Sequence, residues 1–245
     1  MKIPVIHGRI DRRILANYRV DPLTLAHILP PPFRPKIMGG FGIAGICLIR
    51  LRHLKPQFMS GEFGFLSENA AHRIAVEWTD ERGVVREGVY IQRRDTTSRL
   101  NTFLGGRVFP GLHNHARFDV SEHDDRFHVA FASDDGHTRV LIEGSVARQL
   151  PASSVFQTLR EASTFFEAGS LGYSATRRPG QYDGLELRSL NWSVEPLAVD
   201  KIESSFFADR RLFPSGSLEF DCALIMRGIE HEWHGREQLC CPVPA

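Results

Sequence analysis

Apolar and polar residues alternate along most of this chain, and a two-residue period is typical of β-strands with one buried face. The pattern predicts strands at 12–20, around Cys47, and at 72–78, 84–93, 113–120, 126–132, 138–149, 185–194 and 217–227, with 202–207 of undetermined type. The three strands between 113 and 149 follow one another closely and predict a meander. Because this alternation dominates the chain, we expect strands to outnumber helices.

Helical patterns are few, and their capping residues define them. Asp21 is a predicted N-cap with Pro22 at the first helical position, and the prolines at 30–32 end this helix. A second helix is predicted over 153–169, ended by Gly169, and a short third one begins after Asp95 and stops at the glycine pair 105–106. Two or three helices beside roughly ten strands exclude a doubly wound α/β fold. We therefore expect one mainly β (β-rich α+β) domain over 1–245, a closed or partly open barrel with helices outside.

Composition and charge argue against nucleic-acid and membrane partners and indicate a cellular compartment. The formal net charge is +1, and acidic and basic residues are mixed along the chain, which argues against nucleic-acid binding. The longest apolar run, 41–49, is about half of the ~20 residues that a membrane-spanning helix needs. The four cysteines form no C-x-x-C pair, and the N-terminal stretch has no apolar core of a signal peptide. These features predict a cytoplasmic protein with reduced thiols.

The stretch PGLHNHARFDV places two histidines on one face of a strand. His113, His115, Arg117 and Asp119 share that face by alternation. Imidazoles that project together from a strand are one way in which β-barrels bind metals, which makes His113 and His115 candidate metal ligands. No third ligand is evident, so a polar outer strand face or a subunit contact is the alternative and no metal or cofactor is predicted.

Two further stretches carry charged residues at unusual places. In the strand 84–93, Arg93 shares the apolar face with Val89 and Ile91, whereas Arg94 falls on the other face with Tyr90. A buried guanidinium needs a partner, which for Arg93 is either an acidic neighbour, Glu87 or Asp95, or a bound ligand. Glu68 lies where a loop enters the strand 72–78, and it is either a solvated loop residue or an acid whose pKa burial raises for proton transfer.

Several stretches together resemble the DUF2071 family of the acetoacetate decarboxylase-like superfamily. They are IDRRILANYRVDPLTLAHILPPPFRP, AGICLIRLR, SENAAHRIAVEW, EGVYIQRRDTTSRLN and RVFPGLHNHARFDV. The resemblance implies a cone-shaped β-barrel around an interior pocket, and a homo-oligomer. In the superfamily's decarboxylase, a lysine forms a Schiff base with a keto acid, assisted by a glutamate and an arginine. By motif, Arg19 in NYRVD matches that arginine, Glu68 in FLSENA matches the glutamate, and Arg93 and Arg94 in YIQRRD stand where lysines would be.

Arginine in place of lysine changes the chemistry that the resemblance implies. A guanidinium stays protonated and cannot form an imine, but it binds carboxylates through two parallel hydrogen bonds. We therefore expect Arg19, Arg93 and Arg94 to bind a small carboxylate or keto acid, with Tyr90 as a polar contact and Glu68 as the catalytic acid or base of a lyase or hydrolase. The alternatives are a non-catalytic binding or sensing protein and a metal-dependent enzyme that uses His113 and His115.

Overall fold

The computed structural model describes residues 4–58, 66–99 and 111–241, which form thirteen strands and two helices in that part of the chain. The strands are β1 Ile6–Val20, β2 Arg34–Pro35, β3 Ile37–Met38, β4 Phe41–Pro56, β5 Ser67–Thr79, β6 Val85–Thr96, β7 His113–His123, β8 Arg126–Ser133, β9 Arg139–Val146, β10 Leu171–Ala175, β11 Gln181–Ser189, β12 Glu195–Ser204 and β13 Leu218–Cys240. The helices are α1 Pro22–Ile28 and α2 Leu159–Ala168. The predicted mainly β class is confirmed.

All the strands belong to one sheet that closes on itself. Long antiparallel ladders join β13, β1, β4, β5 and β6 in that order. Beyond this wall, β6 pairs first with β10 and then with β7, while β13 pairs first with β12 and then with β11. The strands β7, β8, β9 and β12 close the ring on one side, and β10 and β11 close it on the other. Because β6 and β13 change neighbours along their length, the sheet is ring-like without being a regular barrel.

Local signals predicted several elements correctly. The meander is confirmed, since β7, β8 and β9 pair antiparallel in sequence. α1 begins after Asp21, whose side chain accepts a hydrogen bond from the Thr24 N–H. The C-terminal strands were predicted less well. The prediction missed β10, and it placed one strand at 185–194 where the structure has two, β11 ending at Ser189 and β12 beginning at Glu195. β13 also runs beyond the predicted end at residue 227.

The second predicted helix is shorter than expected. α2 starts after Thr158, although the pattern predicted a helix from residue 153, and it ends at Gly169 as predicted. The Asp221 carboxylate on β13 accepts hydrogen bonds from the Ser154 hydroxyl and the Val155 N–H, and so holds this segment out of helical conformation. The predicted third helix falls mostly on residues outside the described ranges, and its predicted N-cap, Asp95, lies within β6.

The two faces of the strand wall contact different apolar clusters. On β1, Ile14 and Ala16 belong to the larger core cluster, which β7, β8, β9 and β12 cover. Leu15 belongs to a second cluster on the opposite face, beneath α2. Alternation along β1 therefore supplies both cores from one strand. Within the described residues, no helix is long and apolar enough to cross a membrane.

Candidate functional site

A cavity of about 140 Å³ lies on the α2 side of the strand wall, between β1, β4, β5 and β6 and the covering elements α2, β10 and β11. At roughly 30 Å³ for each water molecule, it has space for about five waters or one small organic molecule. Glycines let the covering strand approach: a side chain at Gly88 would collide with the carbonyl oxygen of Leu171, and one at Gly172 would collide with Ile91. The walls are largely apolar, with Leu15 and Phe166 among the lining residues.

Three arginines, from strands β1, β5 and β6, line this cavity. Arg73 on β5 is only 6% exposed; its Nη2 donates to Asn17 Oδ1 at 2.7 Å, and its Nε has no hydrogen-bond partner within the described residues. Arg94 on β6 donates from Nε to the Ser174 hydroxyl at 3.2 Å. Arg13 on β1 donates from Nε to Cys47 Sγ at 3.3 Å. None of the three forms an ion pair with a carboxylate in the described ranges.

Burial sets the electrostatics of the cavity. Desolvation lowers the pKa of Arg73 to about 10, and nearby Arg13 acts in the same direction. Desolvation likewise lowers the pKa of Arg94 to about 10. His113 also lines the cavity; burial, with a further contribution from Arg94, lowers its pKa to about 3, so its imidazole is neutral near pH 7. Three guanidinium groups therefore line the cavity without an ion-pair partner among the described side chains, and the acidic lining residue, Asp95, is paired with Arg93 instead.

Lys36, which also lines the cavity, is neutralised. Its Nζ lies 2.5 Å from Glu87 Oε2 and 4.4 Å from the centre of the Phe165 ring. The ion pair and the cation–π contact both engage this side chain. The Lys36 amine is therefore paired within the protein and is not free to act as a nucleophile.

Arg93 and Arg94 lie on the faces opposite to those predicted. Along the β5–β6 ladder, His72 is opposite Arg93 but Arg73 is opposite Ile91, so Gln92 has no partner residue. This β-bulge reverses the alternation after Ile91. Arg94 therefore lines the cavity with Val89 and Ile91, whereas Arg93 does not.

Arg93 instead has protein partners. Its Nη2 lies 2.8 Å from Asp95 Oδ1 and 2.8 Å from Asp135 Oδ2, and the Asp95 side chain is fully buried. Asp95 is one of the two acidic neighbours that the sequence offered as partners. Tyr90 lies away from the cavity in an aromatic cluster, with its ring centre 5.3 Å from that of Phe33, and burial raises the pKa of Tyr90 to about 12. Ligand binding by Arg93 and Tyr90 stays a prediction that these contacts do not support.

Glu68 and Arg19 lie outside the cavity wall, each within its own ion-pair network. The Glu68 carboxylate bridges two arginines, with Oε2 2.5 Å from Arg12 Nη2 and Oε1 2.5 Å from Arg50 Nε, and both arginines also contact Glu122. Arg19 pairs with Glu219 at 2.6 Å and donates to the Ser153 carbonyl oxygen. The structure does not bring these two predicted site residues together with Arg94.

The two histidines of the H-x-H motif have different surroundings. His113 Nδ1 lies 3.3 Å from the Gly111 carbonyl oxygen beside the cavity. His115 Nδ1 lies 2.7 Å from Asp134 Oδ2, and Arg117 pairs with the same carboxylate. Across the described ranges, no group of three or more His, Cys, Asp or Glu side chains is arranged to hold a metal ion.

Sequence reasoning missed Arg13, Arg73 and Cys47, which also line the cavity. In their predicted strands Arg13 alternates in phase with Asn17, and Arg73 with Glu77, so both lie on the more polar strand face. The test that drew attention to Arg93, an arginine on an apolar strand face, would have selected neither. Cys47 lies within the apolar run 41–49, where nothing in the pattern distinguishes it.

The fold is that of acetoacetate decarboxylase-like proteins. An acetoacetate decarboxylase-like enzyme from Sphingomonas wittichii RW1 is similar with a TM-score of 0.60 and 11% identity, over 99% of this chain and 94% of that one. Acetoacetate decarboxylase from Legionella pneumophila is similar with a TM-score of 0.58 and 12% identity, over 95% of this chain and 86% of that one. The enduracididine biosynthesis enzyme MppR is similar with a TM-score of 0.60 and 11% identity, over 98% of this chain and 88% of that one. At such identities the likeness shows the fold alone.

Comparison with protein-family models found no match, and comparison with curated proteins found none. The acetoacetate decarboxylase-like fold that the resemblance implied is confirmed, with a ring-like sheet in place of a regular barrel. Membership of the DUF2071 family stays a prediction.

Proposed function

We propose that this protein binds a small carboxylate or keto acid in the cavity lined by Arg13, Arg73 and Arg94. The observation that carries the proposal is the convergence of three guanidinium groups on one cavity without a carboxylate partner in the described residues. An uncompensated buried cation costs several kcal/mol, and a bound anion removes that cost while forming charge-assisted hydrogen bonds. An anionic ligand is therefore the expected charge partner of these guanidinium groups.

The keto-acid class has support from the fold. One of the similar structures is MppR complexed with pyruvate, and others are acetoacetate decarboxylases. A cavity of about 140 Å³ suits an acid of a few carbon atoms better than a nucleotide or a lipid. We therefore propose pyruvate-sized or acetoacetate-sized acids as the ligands to test.

Binding is the better-supported part of this proposal, and catalysis without a Schiff base is the weaker part. Lys36 is paired with Glu87, which argues against imine formation at the cavity. Glu68, the predicted acid or base, is clamped between Arg12 and Arg50 outside the cavity wall. A lyase or hydrolase role for Glu68 therefore remains a proposal, and the non-catalytic binding or sensing alternative accounts for the same contacts.

Calorimetric titration tests the binding proposal. Pyruvate and acetoacetate should bind, whereas pyruvamide, which has the same shape without the charge, should bind at least about tenfold more weakly. Arg94→Met should weaken pyruvate binding about 10–100-fold, the value of one or two charge-assisted hydrogen bonds. The matched control is Arg93→Met, whose side chain points away from the cavity and whose loss should leave the affinity within about threefold. Equal binding of pyruvate and pyruvamide would refute the proposal.

We also propose an oligomeric state and a cellular location for this protein. The resemblance supports a homo-oligomer, and the absence of a C-x-x-C pair supports a reduced, cytoplasmic environment. Light scattering on the purified chain tests the oligomeric state, with a monomeric mass as the contradicting result.

A further inference from the structure

Cys47 is the nucleophilic side chain at this cavity that the proposed function does not use. It lies on β4, is 7% exposed and lines the cavity. Its sulfur accepts the Arg13 Nε–H at 3.3 Å. Neighbouring strands place Cys47 opposite Ala71, and Ala71 opposite Arg94. Across the three strands β4, β5 and β6, the small Ala71 side chain therefore lies between Cys47 and Arg94. The backbones of Cys47 and Arg94 are two strand spacings apart, about 10 Å.

The guanidinium of Arg73 independently indicates a ligand at the same place. Its Nε is buried and has no hydrogen-bond partner in the described ranges, and Arg73 is one of the residues that line the cavity. Arg73 and Arg94 therefore present guanidinium groups to the same cavity as the Cys47 sulfur.

We propose that Cys47 is a nucleophile that adds reversibly to the carbonyl carbon of a 2-oxo acid whose carboxylate Arg73 and Arg94 bind. This inference rests on the proposed anion-binding function and extends it to a covalent step. The thiolate forms the S–C bond while the carbonyl π electrons move to oxygen, and that oxygen takes up the proton that the thiol released. The product is a hemithioketal, and no oxidant, reductant or leaving group is required.

The other cysteines provide internal controls. Cys222 is fully buried and does not line the cavity; burial, with a contribution from Asp221, raises the pKa of its thiol, which disfavours the reactive thiolate. Cys240 is exposed and Cys241 is partly exposed, so both react with any alkylating reagent. Replacing these two by serine leaves Cys47 and Cys222 as the thiols to compare.

Alkylation in this two-serine background tests the inference. Bromopyruvate presents a carboxylate beside an electrophilic carbon from which the thiolate displaces bromide, and bromoacetone is its uncharged counterpart. With rates normalised to those of N-acetylcysteine, Cys47 should react with bromopyruvate at least about tenfold faster than with bromoacetone, as expected for a carboxylate bound by charge-assisted hydrogen bonds. Arg94→Met should abolish the preference. Peptide mass spectrometry assigns the modified residue, and Cys222 should remain unmodified.

Carbon-13 NMR of pyruvate labelled at its carbonyl carbon tests the reversible step. Bound pyruvate should show a tetrahedral carbon with the parent protein and a ketone carbon with Cys47→Ser. A ketone signal in both, or equal normalised rates for the two bromo reagents, would overturn the inference. Should Cys47→Ser keep its pyruvate affinity in those cases, the anion-binding function stands and only the covalent step falls. Loss of pyruvate binding by the parent protein would instead refute the binding proposal itself.

Discussion

The adjacent arginines on β6 are expected to respond to the same substitution with stability changes of opposite sign. Desolvation lowers the pKa of Arg94 to about 10, roughly 2.5 below the ordinary guanidinium value. At ~1.36 kcal/mol for each pKa unit, this difference sets an upper limit of about 3 kcal/mol on the cost of burying the Arg94 charge. Removing the hydrogen bond to Ser174 gives back about 1 kcal/mol. Arg94→Met should therefore stabilise the ligand-free protein by about 1–2 kcal/mol.

Arg93→Met should do the reverse. The Arg93 guanidinium is the ion-pair partner of Asp95, whose side chain is fully buried. Removing one member of a buried ion pair leaves an uncompensated charge and typically costs about 3–5 kcal/mol. Because Arg93 retains some exposure and Asp95 can take up a proton, we expect a loss of about 3 kcal/mol near pH 7.

Urea unfolding of the ligand-free proteins, followed by tryptophan fluorescence, measures both changes. The midpoints should move in opposite directions while the denaturant dependence stays constant. For a chain of this size, 1 kcal/mol corresponds to about 2–4 °C in Tm, so thermal scans should separate the two variants by more than about 8 °C. A loss of stability in Arg94→Met comparable to that in Arg93→Met would refute the conclusion that Arg94 has no compensating partner.

Three further outcomes follow from the same contacts. Burial lowers the pKa of His72 and of His113 to about 3. Because the unfolded chain takes up protons at these histidines first, the free energy of unfolding should fall by about 2 kcal/mol for each histidine as the pH is lowered from about 7.5 to about 5. His72→Phe should remove the contribution of His72 in urea titrations. Glu68→Gln should cost about 2 kcal/mol, because Arg12 and Arg50 then share Glu122 as their remaining carboxylate partner, yet it should leave pyruvate affinity unchanged in calorimetry. Borohydride added with acetoacetate should leave Lys36 unmodified by mass spectrometry, since its amine is paired with Glu87; a stable adduct at Lys36 would contradict this expectation.

The sequence was sufficient for features that depend on neighbouring residues. The two-residue period is a property of each strand, so the mainly β class and the β7–β9 meander could be predicted directly. The start of α1 depends on Asp21 and Pro22, which act within one helical turn, and it too was predicted correctly. By contrast, α2 begins late because Asp221, on a distant strand, binds the backbone of the segment before it.

The arginines at the cavity could be found in the sequence only in part. Alternation put Arg93 on the apolar face and Arg94 on the opposite one, and a single unpaired residue, Gln92, exchanged them. The position of a bulge depends on which residues of β5 pair with β6, and one sequence does not reveal that register. The predicted site therefore included Arg94 because of the resemblance and in spite of the alternation, and it omitted Arg73 although Arg73 lies across the same ladder.

The sequence by itself determined that this chain forms a β-rich fold and that its cations are mainly arginine, with 30 basic residues of which lysine supplies four: Lys2, Lys36, Lys55 and Lys201. Only the tertiary structure decided which arginines meet at the cavity and which are neutralised by acids. The reason is that alternation is local, whereas ring closure and strand register arise from hydrogen bonds between segments far apart in the chain. These long-range pairings leave Arg13, Arg73 and Arg94 without carboxylates in the described residues, and the proposed function rests on that arrangement.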